Sequence, residues 1–432
     1  MTERPTRFVL VDQSLRDFDG HHFEYDLAVV RAAAGLGLAP SVVSHRDFAH
    51  AEQLGVPVLP WFADAWHEAN RDALTRRVFA AMAPLPASMR APLISLGVLA
   101  RRTMRSLRRK KSGPPPLPGF GASLKKALAE QALLPDDHVL VHTLANSELH
   151  ALLAAFAGDE TAPHLHVVLR RDAEEPAVAT DPWGGLPAAW QTVRADRVLA
   201  RKVHFYSDTS ALAEQYDALF AERVTGVLPI PHCLPDAEPA PAAAGPARIV
   251  YLGNARSEKG FHLLPDLVEA LWSSHVATGR ARFVLQCNHA MSLEEVTIDR
   301  ARKRLAAYPE AQVQLIDRQL DVAAFQALLF SADLVLLPYR ADLYRRRSSG
   351  ILIQAAVAGV PVVVPAESWL DDAAVPGAHV SFAGPADLAR AVAEALERLP
   401  ELQAAARAAA PRVRDENDAT ALVEQLLRTA RG

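Results

Sequence analysis

Two loops in the second half of the sequence contain the residue types that bind a diphosphate. The first, residues 253–260, reads GNARSEKG and directly follows an apolar run of strand length. Gly253 would let a ligand approach the backbone closely, while Arg256 and Lys259 supply cations that can reach phosphate oxygens. Taken alone, this loop is also compatible with an ordinary tight turn that exposes basic side chains.

The second loop ends in Ser348-Ser349-Gly350. It follows a buried strand predicted at 333–337, and the apolar residues 351–358 predict a helix that ends at Gly359. The three residues therefore lie at a helix N-terminus, where free N–H groups and the positive end of the helix dipole favour anions. Two such loops in one α/β domain predict a diphosphate site.

Polar residues also follow predicted strands in the first half of the chain. His142 follows the strand 139–141 and Arg170 the strand 166–169, so both should lie at the carboxyl edge of a parallel sheet, where ligands bind. His142 is also compatible with a hydrogen-bonded core position. The loop after the first strand contains Gly20, His21 and His22, which could bind a phosphate or hydroxyl or simply cap the next helix.

Strand-length and helix-length segments alternate along most of the chain. This order predicts an α/β protein made of two Rossmann-like, doubly wound parallel sheets. The first domain would span 1–235, a Pro- and Ala-rich linker 236–247, and the second domain 248–405. Residues 406–432 would form a C-terminal helix that could pack back on the first domain.

A basic segment interrupts this alternation at about 85–120. Seven arginines and lysines lie between Arg101 and Lys111, with no acidic residue among them. Such a segment could contact an anionic membrane surface, or it could be a solvated insertion.

Composition excludes several classes of protein. A formal net charge of −4 argues against a general nucleic-acid binder, and two cysteines form neither a disulfide framework nor a cysteine-rich metal cluster. The sixteen histidines look scattered, and no metal-ligand spacing is found, so no metal site is predicted. The first residues are a poor signal peptide, and 91–100 is too short to cross a bilayer. We expect a cytoplasmic protein that could associate with the inner face of a membrane.

The segments YLGNARSEKG and SADLVLLPY…SGILIQAAVAGVPVVV resemble the donor-binding motifs of family 4 glycosyltransferases, which have the GT-B fold. The resemblance is good from about 225 to 400. It implies two domains that face each other across a cleft, and transfer of a sugar with retention from a UDP- or GDP-sugar to an acceptor hydroxyl. It implies no cofactor and no metal.

The resemblance also implies roles for individual residues. Lys259 and Arg256 would stabilise the departing diphosphate, and His142 would lie near the sugar. The donor would further contact Gly253, Asn254, Ser348, Ser349, Gly350 and, through its ribose, Gln354. A sugar or lipid-linked acceptor would bind near Gly20, His21, His22 and Arg170. The basic segment, and not the resemblance, favours a lipid-linked acceptor and a role in polysaccharide or glycolipid assembly.

The sequence departs from the family pattern at three positions. Asn254 replaces an arginine, while Gln354 and Arg346 replace two glutamates that are separated by seven residues. These changes leave open a non-catalytic GT-B partner subunit. A sugar-nucleotide epimerase of the same fold would need carboxylates that these positions lack, and a Rossmann dehydrogenase would need a G-x-G-x-x-G loop.

Overall fold

The computed structural model describes residues 4–18, 22–64, 117–175, 181–235, 245–288 and 295–431. These residues divide into two compact units. Unit 1 comprises the described residues of Met1–Arg77, Ser112–Cys233 and Asn417–Gly432, and unit 2 comprises those of Leu234–Glu416. Gly20, His21 and the basic segment Arg101–Lys111 lie outside the described residues.

Within the described residues, unit 1 contains a seven-stranded sheet in which every neighbouring pair is parallel. Its strands lie in the order β3-β2-β1-β4-β5-β6-β7. Their bounds are β1 Arg7–Asp12, β2 Ala39–His45, β3 Val58–Phe62, β4 His138–Val141, β5 His164–Val168, β6 Val203–Ser207 and β7 Thr225–Val227. The helices are α1 His22–Gly35, α2 Ala51–Leu54, α3 Phe120–Glu130, α4 Asn146–Phe156, α5 Gly185–Ala195, α6 Arg197–Lys202 and α7 Ser210–Phe220.

The two faces of this sheet bury different side chains. Val9, Val139, Val167 and Phe205 point to one face and join an apolar core with residues of α3, α4, α5 and α7. Because side chains alternate along a strand, Leu10, Leu140, His166 and Tyr206 point to the other face. All eight are buried, as expected of a parallel sheet covered on both sides.

Unit 2 repeats the pattern: the part of it that the structure describes contains a six-stranded parallel sheet of order β10-β9-β8-β11-β12-β13. Its strands are β8 Ala247–Tyr251, β9 Ala281–Gln286, β10 Val313–Ile316, β11 Leu334–Leu336, β12 Val362–Pro365 and β13 His379–Phe382. Its helices are α8 Leu264–Leu271, α9 Glu295–Leu305, α10 Val322–Phe330, α11 Gly350–Val357, α12 Trp369–Ala373, α13 Leu388–Glu397 and α14 Leu399–Glu416.

The end of the chain forms two helices rather than the single one predicted for 406–432. α14 ends at Glu416, and the last helix, α15, spans Ala419–Arg431 and is part of unit 1. Between them, the side-chain carbonyl of Asn417 accepts a hydrogen bond from the backbone N–H of Ile230 at 3.1 Å. α15 packs against α1 and buries Leu422, Val423 and Leu426 completely. No helix among the described residues is long and apolar enough to cross a membrane.

Candidate functional site

The loop 253–260 begins where β8 ends, at the carboxyl edge of the sheet of unit 2. Gly253 has a φ of 94°, a conformation that favours glycine. Its N–H donates to the side-chain oxygen of Gln286 at 2.7 Å, and Gln286 is the last residue of the neighbouring strand β9. The turn is therefore fixed by its neighbouring strand, a contact that the sequence does not reveal.

Gly253 is also the point at which the other predicted donor residues converge. A Cβ atom placed on it would lie 3.2 Å from the Lys259 Nζ and 3.1 Å from the Cδ1 of Ile351, the second residue of α11. Only a glycine leaves this approach open, so the buried amine of Lys259 and the start of α11 lie against one stretch of backbone.

The second predicted loop caps α11. The Ser349 hydroxyl accepts a hydrogen bond from the Leu352 N–H at 3.4 Å, as expected of an N-cap serine. Gly350 is the first residue of the helix and Ser348 lies half-buried before it, while Gln354 is buried within the helix. The N-terminus of α11 and Lys259 thus form one positively polarised region.

Backbone contacts tie the two loops together. The Arg340 N–H donates to the Glu258 carbonyl at 3.0 Å. Gly260 has a φ of 73°, and a Cβ atom at this position would overlap the Pro338 carbonyl. These contacts therefore bring together residues that are about 80 positions apart in the sequence.

Two other predicted donor residues have side-chain partners within their own loop or the next one. Arg256 is half-exposed and pairs with Glu258 at 3.1 Å. The Asn254 side-chain oxygen accepts a hydrogen bond from the Asn288 amide at 2.8 Å.

In unit 1, buried ionisable groups gather at the carboxyl edge of the sheet. Asp12 ends β1, His142 follows β4, Arg170 follows β5 and Asp208 follows β6. Asp26 joins them from α1 and has no exposed surface. His142 and Arg170 were predicted at this edge, whereas the three aspartates were not.

Short contacts link these groups into a continuous network. The His22 Nδ1 lies 2.6 Å from the Asp12 Oδ2, and the His142 Nε2 lies 2.8 Å from the Asp26 Oδ1. The Arg170 Nη1 lies 3.2 Å from the His142 Nδ1, and its Nε lies 3.1 Å from Asp208. Tyr25 stacks on His142 at 4.4 Å, and Arg170 lies 4.7 Å from the same tyrosine ring.

These contacts shift the pKa values of the network. Burial would raise the pKa of Asp12, but His22 and His142 outweigh it and hold that pKa well below its usual range. Burial and the charge of Asp12 raise the pKa of Asp26 to about 6. Burial would lower the pKa values of His22 and His142, but Asp12 and Asp26, respectively, raise both above the ordinary histidine value.

Asp12, Asp26 and His142 offer three ligand atoms that all lie within 4.8 Å of one another, a spacing that could hold a cation. Arg170 opposes this use of the cluster. A guanidinium N–H can only donate, so a neutral His142 ring accepts at Nδ1 and carries its proton on Nε2, which faces Asp26. The imidazolium, which the raised pKa of His142 favours, carries a proton on Nε2 as well. That proton lies where a metal ion would need the histidine lone pair.

Four histidines that look scattered in the sequence lie together toward the amino ends of β4, β5 and β6, away from the carboxyl edge of the sheet. The register of the strands places His138 beside His164, and His166 beside His204. Neighbouring rings stack at 5.1–5.4 Å, and two nitrogen pairs approach to 3.0 and 3.1 Å. We call these four residues the histidine cluster.

Comparison with solved structures defines the fold. HepE of Anabaena, determined in complex with UDP, superposes with a TM-score of 0.62 over 98% of this chain and 99% of its own, at 15% identity. Sucrose-phosphate synthase of Thermosynechococcus elongatus gives a TM-score of 0.63 over 98% of both chains, at 14% identity. A glycosyltransferase of Rickettsia africae gives 0.60 over 99% of this chain and 98% of its own, at 10% identity.

The chain has the GT-B fold. The prediction of two Rossmann-like parallel-sheet domains is thereby confirmed. No family model matches the sequence, and no curated protein matches it. Similarity at these levels of identity shows the fold alone.

Proposed function

We propose that the protein is a glycosyltransferase that moves a sugar from a nucleotide diphosphate donor to an acceptor hydroxyl. One observation carries the proposal: the Lys259 amine and the N-terminus of α11 converge on Gly253 at the carboxyl edge of the second sheet. A cation and a helix N-terminus beside a glycine backbone are features that bind a diphosphate.

The donor would bind to unit 2. The backbone at Ser349 and Gly350 would hold phosphate oxygens, and the amide of Gln354 would bind the ribose. As the sugar–phosphate bond breaks, negative charge grows on the departing diphosphate, and Lys259 would stabilise it. Arg256 would assist from the half-exposed rim of the same loop.

The acceptor would bind to unit 1 at the carboxyl edge of its sheet. His22 and Arg170 are the predicted acceptor-side residues that the structure describes, and both are partly exposed. His142 is 1% exposed, so we propose that it positions Asp12, and through it His22, instead of contacting the sugar.

Finer features of the proposal come from the resemblance of the motifs. They are retention at the anomeric carbon, UDP or GDP as the nucleotide, and no cofactor or metal. The basic segment adds a role in polysaccharide or glycolipid assembly to the proposal. UDP is the first nucleotide to test because HepE was crystallised with it. A cytoplasmic location, with membrane contact through Arg101–Lys111, remains part of the same proposal.

A thermal-shift titration with UDP, GDP and ADP tests the donor site. A ligand that binds only the folded state stabilises it by about 2.7 kcal/mol at about 100 times its Kd. We expect one nucleotide to raise the melting temperature of the wild type, and Lys259→Ala to weaken its binding by about tenfold or more. Lys303→Ala, an exposed change in α9 of the same unit, should bind the nucleotide normally. Absence of a shift with every nucleotide would refute the proposal.

A non-catalytic subunit of the same fold is the second candidate. It is favoured by Arg346, where the family has a glutamate, and by Asn254, whose side chain is bonded to Asn288. Nucleotide binding without sugar transfer or donor hydrolysis would support it. An epimerase is disfavoured because the two acidic residues of the predicted loops, Glu258 and Asp342, each pair with an arginine.

A further inference from the structure

Tyr339 lies next to both elements that are proposed to bind the diphosphate. It follows β11 at the carboxyl edge of the sheet of unit 2, and it is only 3% exposed. The centre of its ring lies 5.6 Å from the Lys259 Nζ. Its hydroxyl faces the side chain of Ser349, the N-cap of α11, without reaching hydrogen-bond geometry. One aromatic side chain therefore borders both the cation and the helix N-terminus.

The backbone fixes this ring against the lysine. A Cβ atom on Gly260 would overlap the carbonyl of Pro338, so the two chains touch at these residues. The Arg340 N–H donates to the Glu258 carbonyl at 3.0 Å. These four residues are the immediate neighbours, along the chain, of the lysine and the tyrosine. The position of the ring relative to the amine is therefore set on both sides.

The ring face can stabilise the buried ammonium of Lys259. This residue is 7% exposed, and withdrawal of a charge from water costs free energy. The face of an aromatic ring carries partial negative charge and attracts a cation within about 6 Å of its centre, most strongly where water is excluded. Burial raises the pKa of the Tyr339 hydroxyl well above its usual range, so the ring stays a neutral phenol.

Tyr339 also has an ordinary packing role. Its ring lies 4.7 Å from that of Tyr344, which is buried as well. A role limited to packing would depend on the shape of the side chain alone. A role that acts through the amine would depend on the electrons of the ring and on the presence of Lys259.

We propose that Tyr339 positions the Lys259 ammonium for the donor diphosphate, because its ring face holds the amine against the backbone at Gly253. Tyr339 is a positioning residue: it acts through Lys259 and does not contact the donor. This inference rests on the proposed function and adds to it a residue for which the sequence predicts no role.

Calorimetric titration with UDP tests the inference, with GDP or ADP in its place if one of these is the nucleotide that stabilises the wild type. Tyr339→Leu removes the ring and should weaken binding by about fivefold or more, whereas Tyr339→Phe keeps the ring and should stay within about twofold of the wild type. Tyr308→Leu is the matched control, because it makes the same change at a half-buried tyrosine of unit 2 that packs on Trp272. It should bind the nucleotide normally. Undiminished binding by Tyr339→Leu would overturn the inference.

A double substitution separates positioning from packing. In the Lys259→Ala background, Tyr339→Leu should cause almost no further loss of affinity, because the amine through which the ring acts is absent. An equal loss in both backgrounds would show that the ring affects the site without the amine, and the inference would be wrong.

Ring fluorination supplies a second test in which the shape of the side chain is nearly conserved. Phenylalanine analogues with increasing numbers of ring fluorines at position 339 should bind the nucleotide progressively more weakly, because fluorine withdraws electrons from the ring face. Constant affinity across the series would overturn the inference while the proposed function stands. If UDP, GDP and ADP all fail to bind the wild type, the proposed function and the inference are both overturned.

Discussion

Asp12 is the residue on which the charge network of unit 1 depends. It has no exposed surface, and its carboxylate lies within 3.5 Å of both His22 and His142. Ionisation of a buried carboxylate is sustained only by such partners, because desolvation alone would favour the neutral acid. Removal of this one charge should therefore lower the pKa values of both histidines.

We expect Asp12→Asn to lower the pKa of His22 and to destabilise unit 1. The pKa falls because the imidazolium loses the anion that outweighs its burial. Loss of one partner from a buried ion pair costs about 3 kcal/mol or more. An NMR titration of labelled histidine and a urea denaturation curve measure the two effects.

Asp47→Asn provides the control for this prediction, because Asp47 also lies near a histidine but its side chain is 64% exposed. It should change the free energy of unfolding by a few tenths of a kcal/mol at most. An unchanged His22 titration in Asp12→Asn would contradict the role given to Asp12.

At the scale of single residues, the sequence predicts more in unit 2 than in unit 1. Gly253, Lys259 and Ser349 are found from local motifs, since each belongs to a loop between a strand and a helix. Asp12 has the same kind of position, at the end of β1 before the loop to α1, but its role appears only from its contacts with His22 and His142. Asp26 carries no such signal. Asp26 lies in the middle of a helix, and only the packing of α1 on the sheet brings it to His142.

At the scale of elements, the histidine cluster depends on strand register. His138, His164 and His204 begin or nearly begin three adjacent strands, and parallel pairing at this register aligns them. A shift by one residue would move the rings to the other face of the sheet. The sequence shows the histidines, but it cannot show the register. Two strands of the structure, β3 and β13, are also not predicted from the sequence.

The cluster should make stability depend on pH. Burial and the neighbouring histidines lower the pKa values of His138 and His204 to about 4, whereas the unfolded chain titrates near the ordinary value of about 6.5. Between these values the unfolded state binds more protons, so the free energy of unfolding falls as the pH is lowered from about 6.5 to about 4. We expect His138 to contribute about 2–3 kcal/mol of this loss, allowing for its partial solvent contact.

Denaturation curves at several pH values test this expectation. The double change His138→Gln and His204→Gln should flatten the dependence between pH 4 and 6.5. A wild-type stability that is constant over this range would contradict the prediction. Asp137 opposes the lowering of the His138 pKa, whereas Lys202 and Arg431 add positive charge that reinforces it.

At the scale of the whole molecule, each unit has its own sheet and core, but unit 1 is assembled from distant parts of the sequence. The helix α15 begins about 190 residues after β7 ends and still buries three apolar side chains in unit 1. An apolar contact of this kind should stabilise the unit that receives it and leave the other unit unaffected.

We therefore expect Leu426→Ala to lower the free energy of unfolding of unit 1 by about 2–5 kcal/mol. Hydrogen exchange followed by mass spectrometry should show faster exchange in peptides of β1 and β4–β6, and unchanged exchange in peptides of β8–β12. Glu424→Ala, an exposed change in the same helix, should alter neither set. Equal acceleration in both units would show that they unfold together.

The position of α15 also has a consequence for biosynthesis. The described part of unit 2 is one continuous stretch of the chain, Leu234–Glu416. Its strands can therefore pair as soon as Glu416 has emerged from the ribosome. Unit 1 begins to be translated first, yet it lacks its final helix until all of unit 2 has been made. Until then, the surface of α1 that α15 covers stays open to solvent, and transiently exposed apolar surface of this kind favours aggregation of the nascent chain and its capture by chaperones.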